Sequence, residues 1–170
     1  MLYPLAIWLG QGYIEPRWLS LLLAFAILTR LPMMKAHRIS VVLAIAAAVL
    51  VVLSAWKNVL LPLKLYPVLI NLGMLLLFGL SLVYPPSVIE RIARIKEPEL
   101  SDAGVRYTRR VTQVWCIFFV FNGSLALFTS LFTSEATWSL YNGFIAYLLM
   151  GLLFAVEYCF RLRFRRAHRD

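Results

Sequence analysis

The sequence predicts an all-α polytopic membrane bundle of about five transmembrane helices, and three observations predict it. Of the chain's 170 residues, 62% are hydrophobic and 15% are charged, against about 45–50% and about 25% in soluble domains. The apolar residues gather in long runs, most of them close to the ~20 residues a helix needs to cross a hydrocarbon core of ~30 Å. The lysines and arginines stand at the ends of those runs, where a membrane protein meets the head groups. A formal charge of +9 on a soluble face would suit nucleic acid. Flanking apolar runs, it matches the anionic inner leaflet instead, so membrane lipids are the expected partner and nucleic acid is not.

Residues 1–13 (MLYPLAIWLGQGY) would make about 20 Å of helix, less than the hydrocarbon thickness. They read as a short re-entrant or interfacial segment with Tyr3, Trp8 and Tyr13 at the interface. A cleaved signal is not expected, because no basic leading region is present and Glu15-Pro16-Arg17 follows. The first span covers residues 18–31 and is short unless Arg17 and Arg30 snorkel outward. Pro32 ends it. Lys35, His37 and Arg38 form a tight loop before the second span, residues 39–56, whose Trp56 belongs at the far interface. Residues 57–64, with Pro62, read as a short turn, and residues 65–84 as the third span.

Pro85 and Pro86 stop that helix, since each lacks an N–H and Pro86 drives Pro85 out of the helical region. Residues 85–110 then form a cytoplasmic loop. Ser87 followed by Glu90 is a capping-box pattern, so a short amphipathic helix starts at Val88. Val88, Ile89, Ile92 and Ile95 share one face, with Arg91 and Arg94 toward another. That suits a helix lying flat among the head groups, or equally one packed on the ends of the spans. Glu97-Pro98 closes it, and Ser101 and Asp102 can cap the next helix. The fourth span is residues 111–132, residues 133–137 are a turn, and the fifth span is residues 138–160. The basic tail, residues 161–170 (RLRFRRAHRD), has no apolar periodicity and reads as solvated or bound to head groups.

Placing the 30–38 loop, the central loop and the tail on one side gathers all of the 17 lysines and arginines except Arg17, Lys57 and Lys64. By the positive-inside rule the carboxy terminus is then cytoplasmic and the amino terminus periplasmic. A faint internal echo also relates spans two and three to spans four and five: Leu65 opens LYPVLINLGMLLLFGL and Leu140 opens LYNGFIAYLLMGLLFA.

Chemistry has little to work with. There is no Walker loop, HExxH, GxSxG or carboxylate pair at helical spacing within a span, so no catalytic residue, cofactor or metal site is expected. Cys116 and Cys159 lack metal or redox spacing, Gln113 is interfacial, and His37 and His168 have no second ligand nearby. Asn71 with Gly73, Asn122 with Gly123 and Ser124, and Asn142 with Gly143 make three similar polar positions on spans three, four and five. Asn71, Asn122, Ser124 and Asn142 are therefore a candidate polar seam. They could line a substrate or lipid path. The alternative is that glycine lets helices approach and asparagine bonds across the contact, for about 1 kcal/mol each. Gly73, Gly79, Gly143 and Gly151 are candidates for tight packing. Glu157, the one acid inside a predicted span, lies four residues before Arg161 and fits an i,i+4 pair; otherwise it is a proton site or the partner of Arg109 or Arg110. Arg91, Arg94, Lys96, Arg106, Arg109 and Arg110 are candidate contacts to the inner leaflet or a protein partner.

Pro85-Pro86, Ile89-Glu90-Arg91, Tyr107-Thr108-Arg109-Arg110, Val114-Trp115, Phe118-Phe119, Asn122-Gly123, Trp138 and Tyr141-Asn142 together carry a resemblance. The chain resembles a family of small bacterial inner-membrane proteins without an established activity, itself similar to the intracellular septation protein A family. The likeness spans nearly the whole chain and is most specific from Leu65 onward. It implies a five-span inner-membrane protein tied to envelope upkeep and division, encoded beside genes for aryl-polyene or fatty-acid-like lipid synthesis. It supplies no catalytic residues. The leading expectation is a non-enzymatic scaffold for lipid-synthesis or division machinery, with other envelope membrane proteins as partners. The alternative is a small transporter or lipid-export subunit, homo-oligomeric because five short spans enclose little volume. A membrane-embedded acyl or glycosyl transferase fits least, for want of a reactive constellation.

Overall fold

A computed structural model of the chain describes residues 45–52 and 61–167, with side chains through residue 164. The described residues are helical apart from their connections, and no strand occurs among them. Residues 45–52 are a stretch of helix inside the expected second span. The first span, residues 18–31, and the amino-terminal segment lie outside the described residues. Beyond residue 60 come α1 (Leu61–Lys64), α2 (Tyr66–Val83), α3 (Val88–Lys96), α4 (Asp102–Phe132), α5 (Glu135–Leu140), a π turn (Tyr141–Ile145) and α6 (Ala146–Ala167). Among the described residues three helical stretches are long and apolar enough to cross a membrane: Leu61–Val83, Asp102–Phe132 and Glu135–Phe164.

Each of these reaches beyond the run of apolar residues that announced it. Leu61–Lys64, expected as a turn, is already helical, because Pro62 falls in a first turn where its missing N–H costs nothing. At the other end of the hairpin α4 begins at Asp102, where Ser101 and Asp102 were expected to cap a helix, so the last part of the expected 85–110 loop is helix that runs on into the fourth span. Ser101 caps it, its side chain accepting from the Gly104 amide at 3.2 Å. With 31 residues α4 is roughly 46 Å long, more than a bilayer core is thick, and its first turns carry Arg106, Arg109 and Arg110 out past the apolar part. α5 begins inside the expected 133–137 turn, capped by Ser134. The tail, expected to be solvated or bound to head groups, continues α6 as helix to Ala167, since arginine is a good helix former and nothing before Ala167 breaks the helix.

α2 and α4 run antiparallel and form the heart of the bundle. On α4 the buried positions Thr108, Thr112, Trp115, Phe119, Asn122, Ala126 and Thr129 alternate in steps of four and three, the seven-residue stripe of knobs-into-holes packing. Phe78 on α2 meets this stripe, 5.2 Å from the Phe119 ring and 6.3 Å from Trp115. Trp115 is the hub of an aromatic cluster that also takes in Phe118 and, from α6, Phe154 at 4.6 Å. Polar members of the stripe are satisfied locally. Thr112 donates to the Thr108 carbonyl at 2.8 Å, and Thr129 to the Leu125 or Ala126 carbonyl at 2.9–3.0 Å, as a hydroxyl out of reach of water must.

α3 shows the expected capping box: the Ser87 side chain accepts from the Glu90 amide, and the Glu90 carboxylate accepts from the Ser87 amide. A second tether is the Ser81 hydroxyl, near the end of α2, which accepts from the Val88 amide at 3.0 Å and donates to the Phe78 carbonyl at 2.7 Å. Val88 and Ile89 pack on the aromatic cluster, while Ile92 and Ile95 stay exposed at 55% and 81%. The four-residue apolar face expected from the sequence is therefore divided, its first half against protein and its second half outward.

Candidate functional site

The polar positions at membrane depth fall into two connected groups. In the first, Asn71 stands one turn into α2 beyond Pro67 and donates its amide to the Pro67 carbonyl at 2.8 Å. Its own carbonyl oxygen accepts from Asn122 Nδ2 at 2.9 Å, and Asn122 Oδ1 accepts from the Tyr141 hydroxyl at 2.8 Å. One continuous chain of donors and acceptors thus links α4, α2 and the π turn, with all three side chains buried. The approach that permits it is close: a Cβ on Gly123 would lie 3.1 Å from Asn71 Cβ.

The second group lies toward the α4–α5 connection. Trp138, fully buried, points its indole N–H at the Lys64 carbonyl and the Ser130 hydroxyl, both at 3.1 Å. Ser130 in turn lies 2.8 Å from the Lys64 carbonyl and 2.7 Å from that of Ala126. Asn142 donates to Thr129 Oγ1 at 3.1 Å and to the Trp138 carbonyl at 3.0 Å. Trp138, Tyr141 and Asn142 share a face by their three-and-four spacing. The π turn, which begins with Tyr141 and Asn142, closes with the Ala146 amide on the Tyr141 carbonyl; it holds one residue more than an α turn.

Of the four residues expected to form a seam, Asn71 and Asn122 are in direct contact, whereas Asn142 bonds to Thr129 and Trp138 instead. Ser124 lies on the exposed side of α4. Tyr141, Thr129, Ser130 and Trp138 complete the polar interior, and none of them was expected in the seam. Among the glycines, nothing lies within 4 Å of a Cβ added at Gly79 or Gly151, so neither is a tight contact; Gly73 is buried and Gly143 half-buried. Cys116 is half-buried and Cys159 exposed, both as free thiols.

At the opposite, basic end, Glu157 forms the i,i+4 pair with Arg161 at 2.8 Å. The Tyr107 hydroxyl also reaches its carboxylate at 3.4 Å, and the Tyr107 ring stacks on Phe164 at 4.7 Å. Arg109 and Arg110 do not pair with Glu157. Two of the six basic candidates are tied within α3 and its flanks: Arg94 to Glu90 at 2.8 Å and to the Pro98 carbonyl at 3.0 Å, and Arg91 to the Pro86 carbonyl at 2.9 Å. Lys96, Arg106, Arg109 and Arg110 are exposed. No group of three possible metal-ligating side chains forms among the described residues.

The hydrogen bonds limit what this arrangement can do. Each asparagine in the first group donates one hydrogen bond and accepts one, both within the same chain. A crevice of about 270 Å³ does open between α4 and α6, but it is lined by Phe118, Phe121, Leu149, Leu152, Leu153 and Val156, and none of the asparagines borders it. No protein family, curated protein or solved structure matches the chain.

Proposed function

We propose that this chain is a multi-pass protein of the bacterial inner membrane, amino terminus periplasmic and carboxy terminus cytoplasmic, that supports envelope biogenesis or septation without catalysis. It acts as a scaffold for lipid-synthesis or division machinery, through other envelope membrane proteins or a second copy of itself. The observation that carries this reading is the division of labour among polar groups. Interior amides and hydroxyls are bonded to one another, which leaves a passenger few free groups to engage. The exposed basic side chains Lys96, Arg106 and Arg109 lie at the end of the bundle that the positive-inside rule assigns to the cytoplasm.

Arg106→Glu combined with Arg109→Glu tests the reading, because neither side chain has a partner among the described residues to lose. With membrane insertion verified by carbonate extraction, crosslinking in cells followed by affinity recovery should lose the co-purifying envelope proteins. Undiminished recovery refutes the scaffold.

A further inference from the structure

The exposed flank of the α4–α6 pair carries a feature that the scaffold reading does not use. On α4, Arg110, Val114, Ile117 and Phe121 succeed one another at steps of four, three and four, so they climb a single face. All four are exposed. On α6, Leu152, Val156 and Arg163 repeat this at steps of four and seven, again all exposed. Phe121, Leu152 and Val156 are walls of the 270 Å³ crevice. Each helix therefore presents an apolar wall that ends in an arginine on its own crevice-facing side.

The two arginines also stand within about one helical turn of each other in height. Trp115 meets Phe154 and Tyr107 meets Phe164, which fixes the antiparallel register and puts Arg110 level with about residue 160. Arg163 is one turn further, an axial offset of about 5 Å. The distance from Arg110 down to Phe118, where the crevice begins, is about 12 Å along the helix. Neither arginine makes a hydrogen bond or ion pair with another described residue, and the nearby acid Glu157 is engaged by Arg161 and Tyr107.

We propose that this crease is a binding site for one anionic phospholipid, its acyl chain in the crevice and its phosphate between Arg110 and Arg163. Hydrocarbon fits the lining because all six side chains are apolar, and a phosphate fits the rim because arginine recognises its oxygens through paired N–H donors. The anionic class is selected by two cations that have no counter-charge among the described residues. The inference rests on the membrane placement of the chain but not on its scaffold role.

The test replaces Phe121 with the photoreactive p-benzoylphenylalanine in the full chain, reconstituted in nanodiscs of equal phosphatidylglycerol and phosphatidylcholine. Illumination should give an adduct with the mass of one phosphatidylglycerol, in clear preference to phosphatidylcholine. The same probe at Phe132, an exposed position away from the crease, should show no preference. Arg110→Gln with Arg163→Gln should reduce the preference roughly 25-fold, a factor of about five for each basic side chain at the membrane surface. Equal labelling by both lipids, or a covalent dimer in place of a lipid adduct, overturns the site while leaving the membrane reading intact. Absence of any lipid adduct at both positions, with the protein released by carbonate, would overturn the membrane reading itself.

Discussion

Replacing Asn122 with Leu is the sharpest way to ask what the buried amides are for. The two side chains are of similar size, so the change removes polarity with little change in volume. Two hydrogen bonds disappear, one donated to Asn71 at 2.9 Å and one accepted from Tyr141 at 2.8 Å. Interhelical bonds in lipid average about 0.6 kcal/mol and reach about 1.7 kcal/mol, so the direct loss is about 1–3 kcal/mol. Asn71 Oδ1 and the Tyr141 hydroxyl are also left unpaired among apolar groups, which places the result in the upper half of that range. Reversible unfolding in mixed detergent micelles measures it, and a double-mutant cycle with Tyr141→Phe isolates one bond. A coupling energy of about 0.5–1.5 kcal/mol is expected. Zero coupling with unchanged stability would refute the claim that these groups bind the bundle together; a loss of transport or cell phenotype on top of unchanged stability would make them a conduit.

Gly123→Ala should cost about 1–2 kcal/mol in the same unfolding assay, because its Cβ would crowd Asn71 Cβ at 3.1 Å and push α2 from α4; Gly79→Ala and Gly151→Ala, with open space around them, should cost nothing. Trp115→Ala removes the hub that touches Phe78, Phe118, Phe119 and Phe154, and is expected to lower stability by about 3 kcal/mol. Ser81→Ala should leave the bundle folded but free α3, raising tryptic cleavage at Arg91 and Lys96 about fivefold, the equivalent of one hydrogen bond of about 1 kcal/mol. Glu157→Gln should change stability by less than about 0.5 kcal/mol, since its partner Arg161 is 43% exposed and such pairs are weak.

The existence of the three apolar helices from Leu61 onward was legible, and most of their limits were not. Hydropathy reports where lipid begins, whereas the helix goes on through the head groups. Ser101 and Ser134 mark the true starts of α4 and α5, and their capping signal is visible in the sequence. The α3 capping box and the Glu157–Arg161 pair were readable because each depends only on near neighbours in the chain. The polar interior was only half readable. Asn71 and Asn122 drew notice as amides in an apolar run, but their bonding to each other depends on the antiparallel register of two helices, which no local pattern encodes. Tyr141 and Trp138 stood out only as part of a family likeness, because nothing local tells an aromatic whose polar tip turns inward from one that faces lipid. Thr129 and Ser130 could have been found from their seven- and eight-residue spacing to Asn122, had the stripe on α4 been traced through its polar members.

The π turn has a consequence for how this sequence can change. Its surplus residue lies between two recognition surfaces: Trp138, Tyr141 and Asn142 before it, and Phe154, Glu157 and Phe164 after it. Loss of one amino acid within residues 143–145 would turn the bulge into an ordinary coil of the helix and let both surfaces keep their bearings. The same loss a few positions later would swing every downstream contact about 100° away from α4. The bundle thus has a slack link at one site, where length can drift over generations without derailing the partners on either side.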